Sequence, residues 1–233
     1  MILNEKVIIV TGGSGLIGSE IVKDIKLEGG IAINFDYIDG YDITNVDSIQ
    51  QFIKDKNITT VDGVVNNAYP RTKHWGNDIE NEIEGVFDEN VKLQLGGLHT
   101  FTKQFLPYLK QSKGSVVNIA SIYGMVGNDF SMYESTSISS PAGYCAIKGA
   151  TINLTRYMAS YYGKQNINFN CVSPGGILDN QDKMFIQNYN DKCPMGRMGN
   201  PDDIAPTVSF LLSNKAKYIT GQNIAVDGGW TSI

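Results

Sequence analysis

Tyr144 and Lys148 are the pair in this sequence whose types and spacing suit proton transfer. Four residues apart on a helix, they share one face, so the lysine ammonium can stand beside the phenol. A free tyrosine ionises near pH ~10 and is a weak base at neutrality. A neighbouring positive charge favours the phenolate and moves it toward the pH at which proton transfer is efficient. The spacing therefore predicts a phenol whose pKa is lowered by its lysine. Tyr and Lys at this spacing are also common surface companions, so the pair takes its meaning from what surrounds it.

A second constellation opens the chain. Thr11-Gly12-Gly13-Ser14-Gly15-Leu16-Ile17-Gly18 places Gly13, Gly15 and Gly18 in a GxGxxG pattern directly after a β-branched run. The first glycine permits the tight turn, the second lets backbone approach a pyrophosphate, and the third lets a helix pack close on the strand. The helix N-terminus then offers free N–H groups to the phosphates. Gly12, Ser14, Gly15, Leu16 and Ile17 are accordingly expected at a dinucleotide. Asp36 stands eighteen residues after Gly18, at the end of the next strand candidate, where a carboxylate accepts hydrogen bonds from an adenosine ribose. The same charge would repel a 2′-phosphate, and no Arg or Lys lies in the glycine turn or from Phe35 to Tyr41. This favours NAD(H) over NADP(H); the other reading of Asp36 is a solvated turn residue. Asp42 and Ile43 are candidates to lie beside the adenine, with Asn67 and Ala68 closing the next strand end.

These residues need elements to hold them. Strand candidates cover 6–11, 31–35, 61–66, 115–119, 167–172 and 223–226, and helical patterns fill 16–27, 46–54, 86–109, 144–162 and 202–212. Alternation of this kind predicts an α/β chain: a three-layer, doubly wound Rossmann fold with a mostly parallel sheet. Leu98, Phe101, Phe105 and Leu109 recur at helical spacing, as core or subunit contact. Two loops, 68–84 and 124–143, are long enough to be lids or binding segments. No repeat or low-complexity linker divides the sequence, so 1–233 reads as a single dinucleotide-binding and catalytic domain.

With 42% hydrophobic residues in 233, the chain can bury a large core. A net charge of -5 without any basic stripe excludes nucleic acid and anionic membrane as expected partners, leaving a small molecule. No apolar run approaches the roughly 20 residues of a membrane span. Cys145, Cys171 and Cys193 lack the spacing of a zinc site or a disulfide framework, and neither histidine has ligand neighbours, so no metal is expected and a reduced, cytoplasmic setting is.

Thr11-Gly12…Gly18, Asn66-Asn67-Ala68, Asn90, Ser121, Tyr144…Lys148, Pro174-Gly175 and Asp227-Gly228-Gly229 occur in the order of the short-chain dehydrogenase/reductase family, which the sequence resembles over essentially its whole length. The resemblance implies hydride transfer between a nicotinamide and a secondary alcohol or ketone, with Tyr144 exchanging the proton. It implies that Lys148 binds the nicotinamide ribose, that Ser121 hydrogen-bonds the reacting oxygen, and that Asn90 belongs to a proton relay. Pro174, Gly175 and Ile177 would line the cofactor. By analogy, the long helices 86–109 and 144–162 would pack between subunits, giving a homotetramer, or a homodimer.

Three departures stand out. The turn reads TGxxGxxG, with Leu16 where the single-domain branch carries glycine. The link between Asp36 and Asp42 is too short for the helix that normally crosses over there, so the sheet edge should be reduced. An insertion of about ten residues in 124–143 reshapes the substrate side. On the 68–84 loop, Arg71 and Lys73 either clamp a phosphate or carboxylate or form a solvated basic loop. With Ser121 and Tyr133 they are the substrate candidates. The sequence is similar, more narrowly, to dehydrogenases of bacterial flagellin modification and nonulosonic acid synthesis. A polar, anionic carbohydrate is the expected substrate; the alternatives are a 3-oxoacyl thioester reductase and a non-catalytic NAD(H)-sensing protein.

Overall fold

The computed structural model describes residues 1–136 and 138–233; residue 137, inside the 124–143 insertion, lies outside the described residues. Six strands, β1 (Val7–Thr11), β2 (Ile31–Phe35), β3 (Gly63–Asn66), β4 (Ser115–Ile119), β5 (Asn168–Pro174) and β6 (Asn223–Val226), form one sheet in the order β2-β1-β3-β4-β5-β6. Every pairing is parallel. All six coincide with strand candidates, with ends moved by one or two residues.

The strands are covered on both faces, which is why they read as continuous apolar runs. Alternate residues divide between two cores. Ile9, Val64, Val116 and Phe169 pack with Ile49, Phe52, Phe101, Phe105 and Met158, which come from α2 (Val46–Asp55), α4 (Gly97–Ser112) and α5 (Ala142–Tyr162). Ile8, Val10, Val65, Val117 and Val172 pack with Ile21, Ile25, Ile204 and Val208 of α1 (Leu16–Leu27) and α7 (Pro201–Leu212). The result is the three-layer, doubly wound arrangement expected from the alternation.

The expected helix 86–109 is resolved into α3 (Val86–Asn90), a π-helical stretch at Val91–Gly96, and α4. A further helix, α6 (Lys183–Lys192), was not foreshadowed by the sequence pattern. Between β2 and α2 lies only a short segment with one 3-10 turn, Tyr37–Asp39, with no further strand there, so β2 is the sheet's edge. Among the described residues no helix is long and apolar enough to cross a membrane.

Strand order reverses between β1 and β3. Crevices outside the carboxyl ends of strands at such a reversal are where open α/β sheets bind ligands. The cavity of about 820 Å³ in this structure lies there, lined from the glycine turn to the 124–143 insertion.

Candidate active site

The glycine turn is built by close packing. Gly12 is at φ +65, the left-handed region, and a Cβ there would lie 2.9 Å from the Ala68 Cα. A Cβ on Gly18 would stand 2.1 Å from the Gly12 carbonyl oxygen, so only glycine lets α1 begin this close to β1. Asn67 donates from Nδ2 to the Thr11 and Gly12 carbonyls at 3.1 and 2.9 Å, and the Thr11 hydroxyl accepts from the Asn67 and Ala68 N–H groups. The β3 end thus anchors the turn. Asn34 does so from the other side: its Oδ1 accepts from the Gly13 N–H and its Nδ2 donates to the Ser14 hydroxyl, both at 2.8 Å.

Gly15 caps α1 without any side-chain hydrogen bond to the first turn, and no acidic residue occupies that turn. The free N–H groups and the positive end of the helix dipole therefore suit an anion. Gly12, Ser14, Gly15, Leu16, Ile17, Asn67, Ala68, Pro174, Gly175 and Ile177 all line the cavity. So does Asp36, whose carboxylate accepts from the Ser14 N–H at 2.9 Å and the Ile38 N–H at 3.3 Å. Asp42 and Ile43 do not. The Asp42 carboxylate is taken up by the Thr44 N–H and hydroxyl, both at 2.8 Å, while Ile43 is buried in the core against Gly97.

Tyr144 sits in the first turn of α5 and Lys148 one turn later, both facing the cavity. Ser121, two residues past the end of β4, lines the same cavity as Tyr144, and its hydroxyl accepts from the Tyr123 N–H at 3.2 Å. The Lys148 ammonium donates to the Ile119 carbonyl at 2.9 Å and lies 5.7 Å from the Tyr144 ring centre. The electrostatics differ from the expectation for a lysine-lowered phenol. Burial raises the Tyr144 pKa, with the nearby Ser121 hydroxyl opposing it, and burial lowers that of Lys148 to about 8. Removing a phenolate from water dominates here, and Lys148 is not among the groups that offset it.

Asn90 is fully buried away from the cavity. Its Nδ2 donates to the Thr72 hydroxyl at 2.8 Å and to the Val86 carbonyl at 2.7 Å, and its Oδ1 accepts from the Thr72 N–H. It ties the 68–84 loop to α3. One turn on, within the π-helical stretch, Gln94 is buried with neither amide atom paired among the described residues.

On the substrate side the cavity is lined by Tyr69, Arg71, Trp75, Tyr123, Tyr133, Ser139, Ser140, Phe185 and Tyr189. Lys73 is exposed and does not line it. The insertion is fastened to α6. Lys192 pairs with Asp129 and Ser131, Asn188 donates to the Met132 carbonyl at 3.1 Å, and the Tyr133 and Phe185 rings lie 5.4 Å apart. Met132 is fully buried against Phe185, Tyr189, Cys193 and Met198. Tyr189 stacks on Trp230 at 4.6 Å and accepts from the Gly176 N–H at 2.8 Å. Asn34, Tyr69 and Trp75 were not singled out from sequence; each acts through partners distant in the chain.

The chain belongs to the short-chain dehydrogenase/reductase family, the oxidoreductase class to which this sheet order and the helix bearing Tyr144 and Lys148 point. Residues 32–231 match the family described as enoyl-(acyl carrier protein) reductase. The chain is 33% identical to the post-translational flagellin modification protein A of Campylobacter coli, over 98% of this chain and 99% of that protein. It is also 33% identical to the 7alpha-hydroxysteroid dehydrogenase of Bacteroides fragilis, over 97% and 94% of the two chains. A short-chain dehydrogenase from Leptospira borgpetersenii, solved with bound NAD+, superposes with a TM-score of 0.87 at 34% identity, covering 98% of this chain and 94% of that one.

Proposed function

We propose that this protein is an NAD(H)-dependent dehydrogenase acting on a secondary alcohol or ketone of a polar, anionic carbohydrate such as a sugar phosphate or nucleotide sugar. NAD(H) is supported by Asp36, whose carboxylate lines the cavity beside the glycine turn, and by the NAD+ held by the similar Leptospira enzyme. The nicotinamide supplies the hydride chemistry when bound; Gly12, Gly15, Asn67, Pro174, Gly175 and Lys148 would hold it. Tyr144 moves the proton to or from the reacting oxygen, Ser121 hydrogen-bonds that oxygen, and Lys148 keeps positive charge beside the phenol. Asn90 contributes by bracing the 68–84 loop.

The observation that carries the substrate class is Arg71. Its guanidinium lies 5.3 Å from the Tyr69 ring centre at the cavity lining, and no carboxylate pairs with it among the described residues. A guanidinium with free donors suits a bidentate phosphate or carboxylate and gives an uncharged steroid nothing to bind. A single domain, acting in the cytoplasm as a homotetramer through α4 and α5, completes the reading.

The test follows absorbance at 340 nm with NADH or NAD+ and a panel of sugar phosphates and nucleotide sugars. Turnover should be confined to anionic members, and Tyr144→Phe should lose about 100-fold or more while still binding NADH. Wild-type turnover in Tyr144→Phe would refute the role of the phenol. Binding of NADH with no turnover of any alcohol or ketone would favour a nucleotide sensor.

A further inference from the structure

We propose that Tyr69 is a positioning residue for the proton chemistry, its ring supplying the electron-rich face that keeps the Lys148 ammonium charged and in place beside Tyr144. The inference deepens the reading above and rests on it only for its catalytic consequence.

Lys148 is an ammonium with three donors, of which one is used, toward the Ile119 carbonyl. No carboxylate pairs with it among the described residues. Its charge is met instead by two rings: the Nζ lies 5.3 Å from the centre of Tyr69 and 5.7 Å from that of Tyr144. Both distances fall within the range of cation–π attraction, which strengthens when water is excluded.

The Tyr69 ring is held where this contact requires it. The Trp75 indole N–H donates to the Tyr69 oxygen at 2.6 Å, and Trp75 is itself buried, only 8% exposed. Tyr69, Trp75 and Tyr144 meet edge to face in all three pairings, at 5.9, 5.8 and 6.4 Å between ring centres. Trp75 also packs over the start of α5, where a Cβ on Gly143 would meet its ring at 3.2 Å.

The groups that bear on the charge of Lys148 come from four elements, one of them β4 through the Ile119 carbonyl. Tyr144 shares its helix, Tyr69 comes from the loop after β3, and the Cys171 thiol of β5 opposes the lowering caused by burial. Arg71, which shares the Tyr69 ring with Lys148, is the remaining cation nearby. The Tyr69 phenol is pushed upward by burial, so it stays protonated and acts through its ring rather than as an anion.

The experiment measures the ionisation of Lys148 directly in the full chain, without cofactor or substrate. Competitive acetylation with acetic anhydride across pH 6–10 (a range of roughly two units either side of its value), read by mass spectrometry on the Lys148 peptide, yields its midpoint, expected near 8. Tyr69→Phe keeps the ring and should hold that midpoint within about 0.3 unit, whereas Tyr69→Leu should lower it by about 0.5–1.5 units. Trp75→Phe frees the ring and should lower it by at least about 0.3 unit, so the question stays answerable if Tyr69→Leu does not fold by circular dichroism. An unmoved midpoint in a folded Tyr69→Leu overturns the proposal. So does a Tyr69→Phe shift as large as that of Tyr69→Leu, or, should the leucine variant not fold, an unmoved Trp75→Phe. Since labelling requires no turnover, failure of the dehydrogenase reading would appear only in the absorbance assay.

Discussion

Gly18→Ala and Gly15→Ala should fail in different ways, and the contrast tests the packing account of the glycine turn. The Cβ added at Gly18 would lie 2.1 Å from the Gly12 carbonyl oxygen and 2.7 Å from Asn67 Nδ2. Even favourable carbon–oxygen contacts stay near ~3.3 Å, so α1 or the turn must retreat by about 1 Å. Overpacking of this kind costs about 1–3 kcal/mol, and backbone neighbours place it at the upper end. Alanine's better helix propensity returns about 1 kcal/mol. The net loss of about 2 kcal/mol corresponds to a fall in Tm of roughly 4–8 °C in a chain of this length. At Gly15, φ is -77 and the added Cβ would meet the Gly12 oxygen at 3.3 Å, a contact that small adjustments relieve. Gly15→Ala should therefore melt within about 3 °C of wild type, yet bind NADH at least about tenfold more weakly, because its methyl occupies the approach to the pyrophosphate. Thermal melts by circular dichroism and NADH fluorescence titrations read both effects. A Gly18→Ala protein that melts with wild type, or a Gly15→Ala protein with unchanged NADH affinity, would refute the reasoning.

Two other outcomes follow from charge. Asp36→Ser removes one negative charge from the ribose region, worth about 1–2 kcal/mol against a 2′-phosphate at a partly exposed site, so the NADP(H) to NAD(H) ratio of kcat/KM should rise about five- to thirty-fold; an unchanged ratio would return Asp36 to a turn residue. Arg197 and the Asn200 N–H depress the Asp203 pKa from its ordinary 3.8 to about 2. A depressed carboxylate stabilises the fold above its unfolded pKa, and that contribution is lost as pH falls through the folded one. Between about pH 4 and pH 2, Asp203→Asn should flatten the acid dependence of stability, by less than about 1 kcal/mol given the exposure of the pair. Urea melts across that window would show it, and an unaltered slope would count against the pair.

Most of the sheet was legible because β1, β3, β4 and β6 carry short runs rich in Val and Ile, and covering on both faces favours such runs; β5, with Val172 as its one β-branched residue, was carried by Phe169, Cys171 and its place in the alternation. The cofactor side was legible for a related reason. Gly12 to Gly18, Asn67 and Ala68 act on neighbours brought together by β1 and β3, adjacent parallel strands. That Gly12 carries the positive φ, while Gly13 is spent on closeness to Asn34, is a matter of contacts between strands that spacing does not display. α6 is not legible because Phe185 and Tyr189 are its only buried residues, too few to set a helical period. Asn90 was legible only from its place in the family's order; that its side-chain amide bonds Thr72 and Val86 and braces the 68–84 loop is a contact spacing does not display. Tyr69 and Trp75 read as loop aromatics. Their partner helix lies about seventy residues further along the chain, and a single sequence carries no trace of such a meeting.

The clasp between the insertion and α6 also bears on how tightly a ligand can bind. A loose lid must surrender its freedom at the moment of closure, and that entropic loss is subtracted from affinity. Here Lys192, Asn188 and Met132 already hold the described part of the insertion against α6, so most of that ordering belongs to folding of the chain rather than to capture of the substrate. A substrate entering this cavity meets a wall in place. Its binding heat should then report contacts with Arg71 and the aromatic lining, with little of the heat-capacity change that accompanies a segment folding onto its ligand.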